Sequence, residues 1–196
     1  MNITDMVVDQ EFKNLIPGLS QMEYAQLEQN IVEDGVVREP ITIWKGHDII
    51  VDGHNRYSII QDHPEVEFSV YEKEFDSRDE VIAWMCANQL GRRNLSDAQR
   101  AILLGQAYEA RKRTLAAIQR NDAGQFIVQK EEAGRLKEIM AKEYDATPSE
   151  IERSGRYFRG LKEIEAVHPG TTDRIKSGDL EVTKKDVMSL TNIYRL

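Results

Sequence analysis

Residues 50–60, IVDGHNRYSII, change from one local pattern to another at Gly53. The apolar run before the glycine is typical of a buried strand, whereas the apolar residues after Arg56 return at helical spacing. A glycine between the two patterns permits a sharp turn and a close approach by another molecule. The stretch therefore predicts a strand that turns directly into a helix, with a polar corner at residues 52–56.

The predicted corner has the features of an anion site. The first turn of a helix leaves backbone N–H groups unpaired, and together with the helix dipole these groups attract negative charge. Arg56 would add a charged donor, and His54 and Asn55 are further donors. An ordinary turn with Asp52 as the helix cap explains the same residues equally well. A catalytic acid/base pair of Asp52 and His54 is a third interpretation. Two such residues on one turn more often serve as a helix cap and a hydrogen-bond donor.

The composition is that of a soluble globular protein. The chain has 196 residues, of which 40% are hydrophobic and 31% charged, enough for one ordinary domain or two small ones. No apolar stretch approaches 18 residues and no secretory leader is recognisable, so we expect a cytoplasmic protein without a membrane span. The single cysteine, Cys86, excludes an internal disulfide, and the four histidines have no cysteine partners at zinc-site spacing. We therefore expect no structural metal.

The net charge of −8 hides a strong polarity along the chain. Residues 1–85 carry six Lys and Arg against 18 Asp and Glu, a net charge of −12. Residues 86–160 carry 14 against 10, a net +4, and residues 161–196 carry six against six. Because a phosphate backbone repels the first segment, any contact with nucleic acid is expected after residue 85.

The first half of the chain predicts a mixture of helices and strands. Capping boxes at Ser20 and Ser77 each begin a helix, and glycines end both helices. Residues 41–44 and 48–51 are strand-like and separated by a short glycine-containing turn, which predicts a hairpin. Residues 67–72 alternate apolar and polar side chains, as an edge strand does.

The second half predicts helices only. Strand signals almost disappear after Ser96, which itself caps a long helix. We therefore expect an α+β fold in which residues 1–93 form a small mixed domain and residues 94–196 an all-helical one.

Residues 131–161 predict two helices joined by a short turn. Thr147 as cap and Pro148 at the first helical position begin the second helix. Ala141 and Ile151 fit a helix-turn-helix, in which a small residue lets the two helices cross closely. The expected DNA-binding residues lie at the start of the second helix and on its polar face: Thr147, Ser149, Glu152, Arg153, Arg156 and Arg159.

A plain helical hairpin remains an alternative for the same segment. Glu150 and Glu152 would be unfavourable beside phosphates. Ser154 also stands where an apolar residue is usual in a helix-turn-helix.

Residues 88–95, NQLGRRNL, form a second basic element between two predicted helices. Arg92 and Arg93 would be able to close over a phosphate bound at the first corner, or would simply stabilise the end of a helix. Taken together, the two elements suit a polyphosphate, with a magnesium ion offsetting repulsion from the acidic domain.

These stretches together resemble the ParB-like proteins of plasmid, phage and chromosome partition over roughly residues 15–165. The match rests on the order and spacing of LEQNIVEDGVVREPITIW, IVDGHNRYSII and NQLGRRNLSDAQRAI, followed by the helix-turn-helix pattern. The resemblance implies a first domain related to sulfiredoxin that binds a nucleotide, usually CTP with Mg²⁺. It implies a following helical domain that binds DNA.

The resemblance also implies a set of nucleotide-binding residues. The family's Gly-Glu-Arg-Arg loop falls on residues 53–56, where the glycine and the last arginine match. Its Glu-Asn-x-x-Arg element falls on residues 88–92, where only the arginine matches. The implied set is Gly53, His54, Asn55, Arg56, Asn88, Gln89 and Arg92. Asn88 replaces a carboxylate of the kind that Mg²⁺ prefers, which leaves at most a weak CTPase activity. His54 stands where sulfiredoxins have their reactive cysteine, so that reductase chemistry is not expected.

The sequence thus favours a DNA-binding protein of a plasmid, phage or other mobile element, acting in partition or transcriptional regulation. Nucleotide binding would control how a homodimer clamps double-stranded DNA, with a partition ATPase as a further partner and no membrane. A nucleotide-dependent kinase for a small molecule such as free serine is the alternative, since some of these share the fold and an Asp-Gly-His-x-Arg loop like residues 52–56. No carboxylate cluster supports a nuclease.

Overall fold

A computed structural model describes residues 3–16, 18–91, 95–118 and 130–193. For residues 117–118, 130–134 and 190–193 it describes the backbone only. The chain divides into two compact units, Met1–Val81 and Ile82–Leu196. The division falls inside a helix, whereas the sequence places the domain boundary at residues 93 and 94. The assignment of one domain to nucleotide and the other to DNA stays a prediction.

The first unit combines a small mixed sheet with helices, as the sequence predicts. Strand β1 lies in the middle of the sheet, antiparallel to β2 and parallel to β3. The elements in chain order are a 3-10 helix Ile3–Asp5, α1 Gln10–Leu15, α2 Gln21–Asp34, β1 Ile41–Trp44, β2 Ile49–Asp52, α3 His54–Asp62 and β3 Val70–Lys73. Helix α4, Arg78–Leu90, begins in the first unit and ends in the second.

The sheet and its helices enclose one apolar core. Every residue of β1 is buried, and Ile31 of α2 and Ile59 of α3 pack into the same cluster. The Ser20 capping box begins α2, and Gly35 ends it with φ of 67°. Burial of each large aliphatic side chain contributes about 1.5–3 kcal/mol, so this core is the main stabilisation of the unit.

Helix α1 is absent from the elements predicted above. Asp9 caps it by accepting a hydrogen bond from the Phe12 N–H at 3.1 Å. Arg78 then holds the helix from outside: it donates to both carboxylate oxygens of Asp9 at 2.7 and 2.8 Å and to Glu11 at 2.8 Å. Its guanidinium lies 4.3 Å from the centre of the Phe12 ring. This six-residue helix therefore depends on a partner far away in sequence.

The described residues after α4 form helices only, in agreement with the sequence. These helices are α5 Asp97–Ile118, α6 Lys130–Glu143, α7 Pro148–Val167, α8 Thr171–Ser177 and α9 Lys184–Ile193. Ser96 and Gln99 bond reciprocally at the start of α5, which confirms the predicted cap. Helix α8 is not among the helices that the sequence predicts. None of the described helices is both long and apolar enough to cross a membrane.

Helices α5 and α7 cross with their backbones almost in contact. A Cβ added to Gly105 of α5 would lie 2.2 Å from the carbonyl oxygen of Ser154. A Cβ added to Gly155 of α7 would lie 2.6 Å from the Tyr108 ring. Ser154 is buried at this crossing. A small side chain is thus required where the helix-turn-helix pattern usually has an apolar one.

We expect Gly105→Ala to destabilise the protein by about 1–3 kcal/mol, because the added methyl group must push two backbones apart. In a helix without this crossing, the same change would stabilise the protein by up to about 1 kcal/mol. The sign of the change in unfolding free energy therefore shows whether the two helices are in close contact. Denaturant unfolding measures it. Gly18→Ala, where an added Cβ meets nothing within 4 Å, is the control and should be close to neutral. A stabilised Gly105→Ala variant would contradict the described crossing.

Candidate functional site

The structure confirms the strand-to-helix turn at the predicted corner. Strand β2 ends at Asp52, and Gly53 adopts a left-handed conformation with φ of 94° directly before α3. No side chain caps the helix, so the interpretation of Asp52 as the cap is wrong. Its carboxylate instead accepts a hydrogen bond from Arg56 at 2.8 Å.

Arg56 is held tightly by acceptors of the protein itself. The guanidinium donates to the main-chain oxygens of Glu39 at 2.8 Å and Pro40 at 3.1 Å, besides the carboxylate of Asp52. The Glu39 carboxylate lies 3.3 Å away. The Arg56 side chain is only 14% exposed, and a Cβ at Gly53 would lie 3.3 Å from it. A phosphate at this corner would therefore have to replace some of these acceptors.

His54 is buried, with 7% of its surface exposed. Neither ring nitrogen has a hydrogen-bond partner among the described residues, and both are inaccessible to solvent. Burial lowers the pKa of His54 to about 4, with a smaller opposing effect from Asp52. Because the ring is buried, its N–H group does not reach the surface where a ligand would bind. The role of His54 as a nucleotide-binding residue stays a prediction. Asn55 is partly exposed.

The second predicted phosphate element lies at the end of α4, in the second unit. Asn88 is exposed, whereas Gln89 is 2% exposed and its side-chain oxygen has no described partner. Arg92 and Arg93 lie outside the described residues. The joint phosphate site of the two elements stays a prediction, as does the small-molecule kinase alternative, which no observation on the described residues favours. Those residues also contain no group of three or more His, Cys, Asp or Glu able to hold a metal ion.

Helices α6 and α7 are joined by a four-residue turn, residues 144–147, at the predicted place. Asp145 adopts φ of 49°, and the Ala146 N–H donates to the carbonyl of Ala141 at 2.9 Å, a common way for a helix to end. Ala141 and Ile151 are both buried where the helices meet. Thr147 accepts a hydrogen bond from the Glu150 N–H at 3.1 Å, so its hydroxyl serves the cap.

The outer face of α7 carries most of the residues predicted to contact DNA. At 3.6 residues per turn, Ser149, Glu152, Arg153 and Arg156 lie within about 100° of one another. All four are exposed. No ion pair is described for Arg153 or Arg156 with any residue whose side chain is placed. Tyr157 and Phe158 of the same helix are buried.

Two partners on neighbouring helices change the charge of this face, and neither is predicted from the sequence. Lys137 of α6 donates to Glu152 at 2.7 Å, which lowers the pKa of that carboxyl and offsets its charge. Glu109 of α5 pairs with Arg159. Each pair is far apart in sequence, so no local spacing signals it. The unpaired positive charge of the face therefore rests on Arg153 and Arg156.

Two solved structures of pNOB8-like ParB N-domains are similar to this chain in fold. The C2221 form of one is 16% identical to this chain, with a TM-score of 0.56, and the match covers 96% of this chain and 91% of that chain. The chain has the fold of a ParB N-domain. A second structure, also 16% identical, has a TM-score of 0.51 over 100% of this chain and 95% of that one. No family model and no curated protein matches the chain.

The comparison confirms the ParB resemblance at the level of the fold. Because the match covers 91–95% of the two ParB N-domains, their shared fold includes the helical second unit as well as the mixed first one. The helical unit is thus part of what those structures call the N-domain. An identity of 16% establishes the fold and leaves ligands and partners to be argued from this chain's own residues.

We expect the contribution of His54 to lower the stability of the protein as the pH drops from 6.5 towards about 4, because its side chain binds a proton in the unfolded chain and stays neutral in the folded one. At about 1.4 kcal/mol per pKa unit, the loss reaches up to about 3 kcal/mol. His54→Phe should flatten this dependence, whereas His168→Gln, at an exposed histidine, should keep the wild-type slope. Urea unfolding at pH 4.5, 5.5 and 7 measures the slopes. Equal slopes for all three proteins would contradict the burial of His54.

Proposed function

We propose that this chain binds double-stranded DNA through the outer face of α7, as a ParB-like partition or transcriptional protein of a plasmid, phage or other mobile element. The observation that carries the proposal is the pair of exposed arginines, Arg153 and Arg156, in the first half of a helix that follows a tight turn. Residues in the first turns of a recognition helix are those that reach base edges and phosphates in the major groove.

The neighbouring contacts support this role. The Lys137 pair reduces the repulsion that Glu152 would otherwise exert on a phosphate. The Glu109 pair ties Arg159 to α5, so Arg159 serves to orient α7 more than to bind. Ser149 presents an exposed hydroxyl one turn before Arg153, and hydroxyls hydrogen-bond both phosphates and bases. The face thus combines positioning charge with groups able to read bases.

The double variant Arg153→Ala/Arg156→Ala should lower the affinity for a random-sequence duplex by at least about tenfold at 50 mM salt. It should also reduce the slope of log K against log salt by about 2, since each phosphate contact contributes about 0.9. Fluorescence anisotropy over a salt series measures both quantities.

The matched control is Arg174→Ala/Lys184→Ala, which removes two exposed charges from α8 and α9 of the same unit. We expect it to keep the wild-type slope. If both double variants lost affinity equally, or if the wild type did not bind the duplex at low salt, DNA binding through α7 would be refuted.

We propose further that a nucleoside triphosphate of the CTP type, with Mg²⁺, binds at the corner of the first unit and controls how a homodimer clamps DNA, in concert with a partition ATPase. The left-handed Gly53 leads directly into α3, whose first N–H groups and dipole attract an anion. Asn55 and Arg56 are the side chains that would hold the phosphates. Binding requires the phosphate to compete with Asp52 and Glu39 for Arg56.

Asp52→Asn should therefore tighten CTP binding, by about tenfold, because it removes both a competitor for Arg56 and a charge that repels phosphate. Arg56→Ala should abolish binding. Asp62→Asn, at the exposed far end of α3, is the control and should leave the affinity unchanged. Calorimetry with CTP, ATP and GTP in the presence of Mg²⁺ measures the constants, and circular dichroism verifies the fold. Weaker binding by Asp52→Asn, or no binding by any protein, would overturn this proposal.

A further inference from the structure

Strand β3 is an edge strand with one side open. The Ile41 N–H donates to the Ser69 carbonyl and the Lys45 N–H to the Lys73 carbonyl, both at 2.9 Å. Main-chain groups alternate in direction along a strand, so every second residue from Ser69 faces β1. Val70 and Glu72 therefore direct their N–H and C=O groups away from the sheet, where no described residue pairs with them.

A groove of about 870 Å³ follows this open edge. Its apolar lining comes from the 3-10 helix and from the segment that leads into β3: Ile3, Val66, Phe68 and Val70. Glu67 and Glu72 supply its charge, and both are exposed. None of the described residues that line the groove is basic. The groove thus offers unpaired main-chain groups, an apolar surface and negative charge in one place.

We propose that this edge binds an extended segment of a partner protein in which apolar side chains and flanking basic side chains lie on the same face of the strand. Such a segment would add to the sheet as a fourth strand beside β3. Val70 and Glu72 are two residues apart and therefore project to the same face of the sheet. On that face the segment's apolar side chains would enter the groove and a basic one would meet Glu72, while the basic residue at its other end would reach Glu67. The proposal concerns the first unit alone and does not depend on DNA binding by α7.

Charge distinguishes this partner from a second copy of the chain. In the register that pairs Glu72 with its own equivalent, two β3 strands would place like charges across the strand pair, which is destabilising. Residues 1–85 as a whole carry a net charge of −12, which adds to the repulsion. A basic segment is attracted instead of repelled, since its positive charges are complementary to the negative charges of the groove.

The test uses the full chain and a fluorescein-labelled peptide of seven residues, Lys-Thr-Val-Thr-Val-Thr-Lys, whose lysines and valines all lie on one face of an extended strand. Wild type should bind the peptide, and Glu67→Lys/Glu72→Lys should lower the affinity at least about thirtyfold. Glu33→Lys/Asp62→Lys makes the same charge change at exposed positions outside the groove and should lower it at most about threefold. Equal losses in the two double variants, or no binding by wild type, would overturn the proposal.

Main-chain pairing has its own readout. Saturating peptide should slow hydrogen exchange at the amides of Val70 and Glu72, which face the open edge, and leave Tyr71, already paired with β1, unchanged. A peptide with its backbone nitrogens methylated on one edge keeps its charge and should not bind through that edge. Peptide binding without slowed exchange at the two amides would refute strand addition.

Discussion

The close crossing of α5 and α7 is the constraint on which the second unit depends. Gly105 and Gly155 have no side chains, so the two helices approach until backbone meets backbone and ring. That approach buries Tyr157 and Phe158 of α7, whereas Arg153 and Arg156 of the same helix are exposed to solvent. A larger residue at either glycine would move α7 and with it the charged face. The packing of a helix pair thus determines which charges a partner would meet.

Ion pairs then fix the position of the charged face. Arg111 of α5 binds Glu143 of α6 at 2.6 Å and the Tyr144 hydroxyl at 3.0 Å, which holds the beginning of the turn before α7. Lys137 and Glu109 neutralise or anchor charges on α7 itself. In each pair one partner is more than a third exposed. Ion pairs that are open to solvent contribute little to stability, so their main effect is on the distribution of charge. Arg153 and Arg156 take part in none of these pairs, and for that reason the proposed contact with DNA is assigned to them.

At the corner of the first unit, Arg56 stabilises the fold with the same charge that would bind a ligand. Arg56 links the corner to the residues before β1, 16 and 17 positions away, through main-chain oxygens as well as carboxylates. These acceptors already satisfy the charge of the guanidinium. A nucleotide would exchange one set of charge-assisted bonds for another, and the net gain depends on how strongly Asp52 competes. The first unit also keeps β3 open, so its interactions need not be confined to this corner.

Much of the fold follows from patterns within four residues of one another. The capping boxes at Ser20 and Ser96, the turn at Gly53 and the start of α7 at Thr147 are all local hydrogen-bond or backbone requirements, and the structure places each as predicted. The alternation along β3 likewise predicts an edge strand, because burial on one face requires a period of two.

Only the tertiary structure decided features that join distant parts of the chain. The parallel partner of β3, the clamp of Arg78 on α1, the burial of His54 and the acceptors of Arg56 each involve residues that no local spacing connects. The sequence named Arg56 and Arg153 as candidates because their type and position suit an anion. Whether a charge is free or paired depends on what folds against it, and for that reason one arginine is enclosed while the other is exposed.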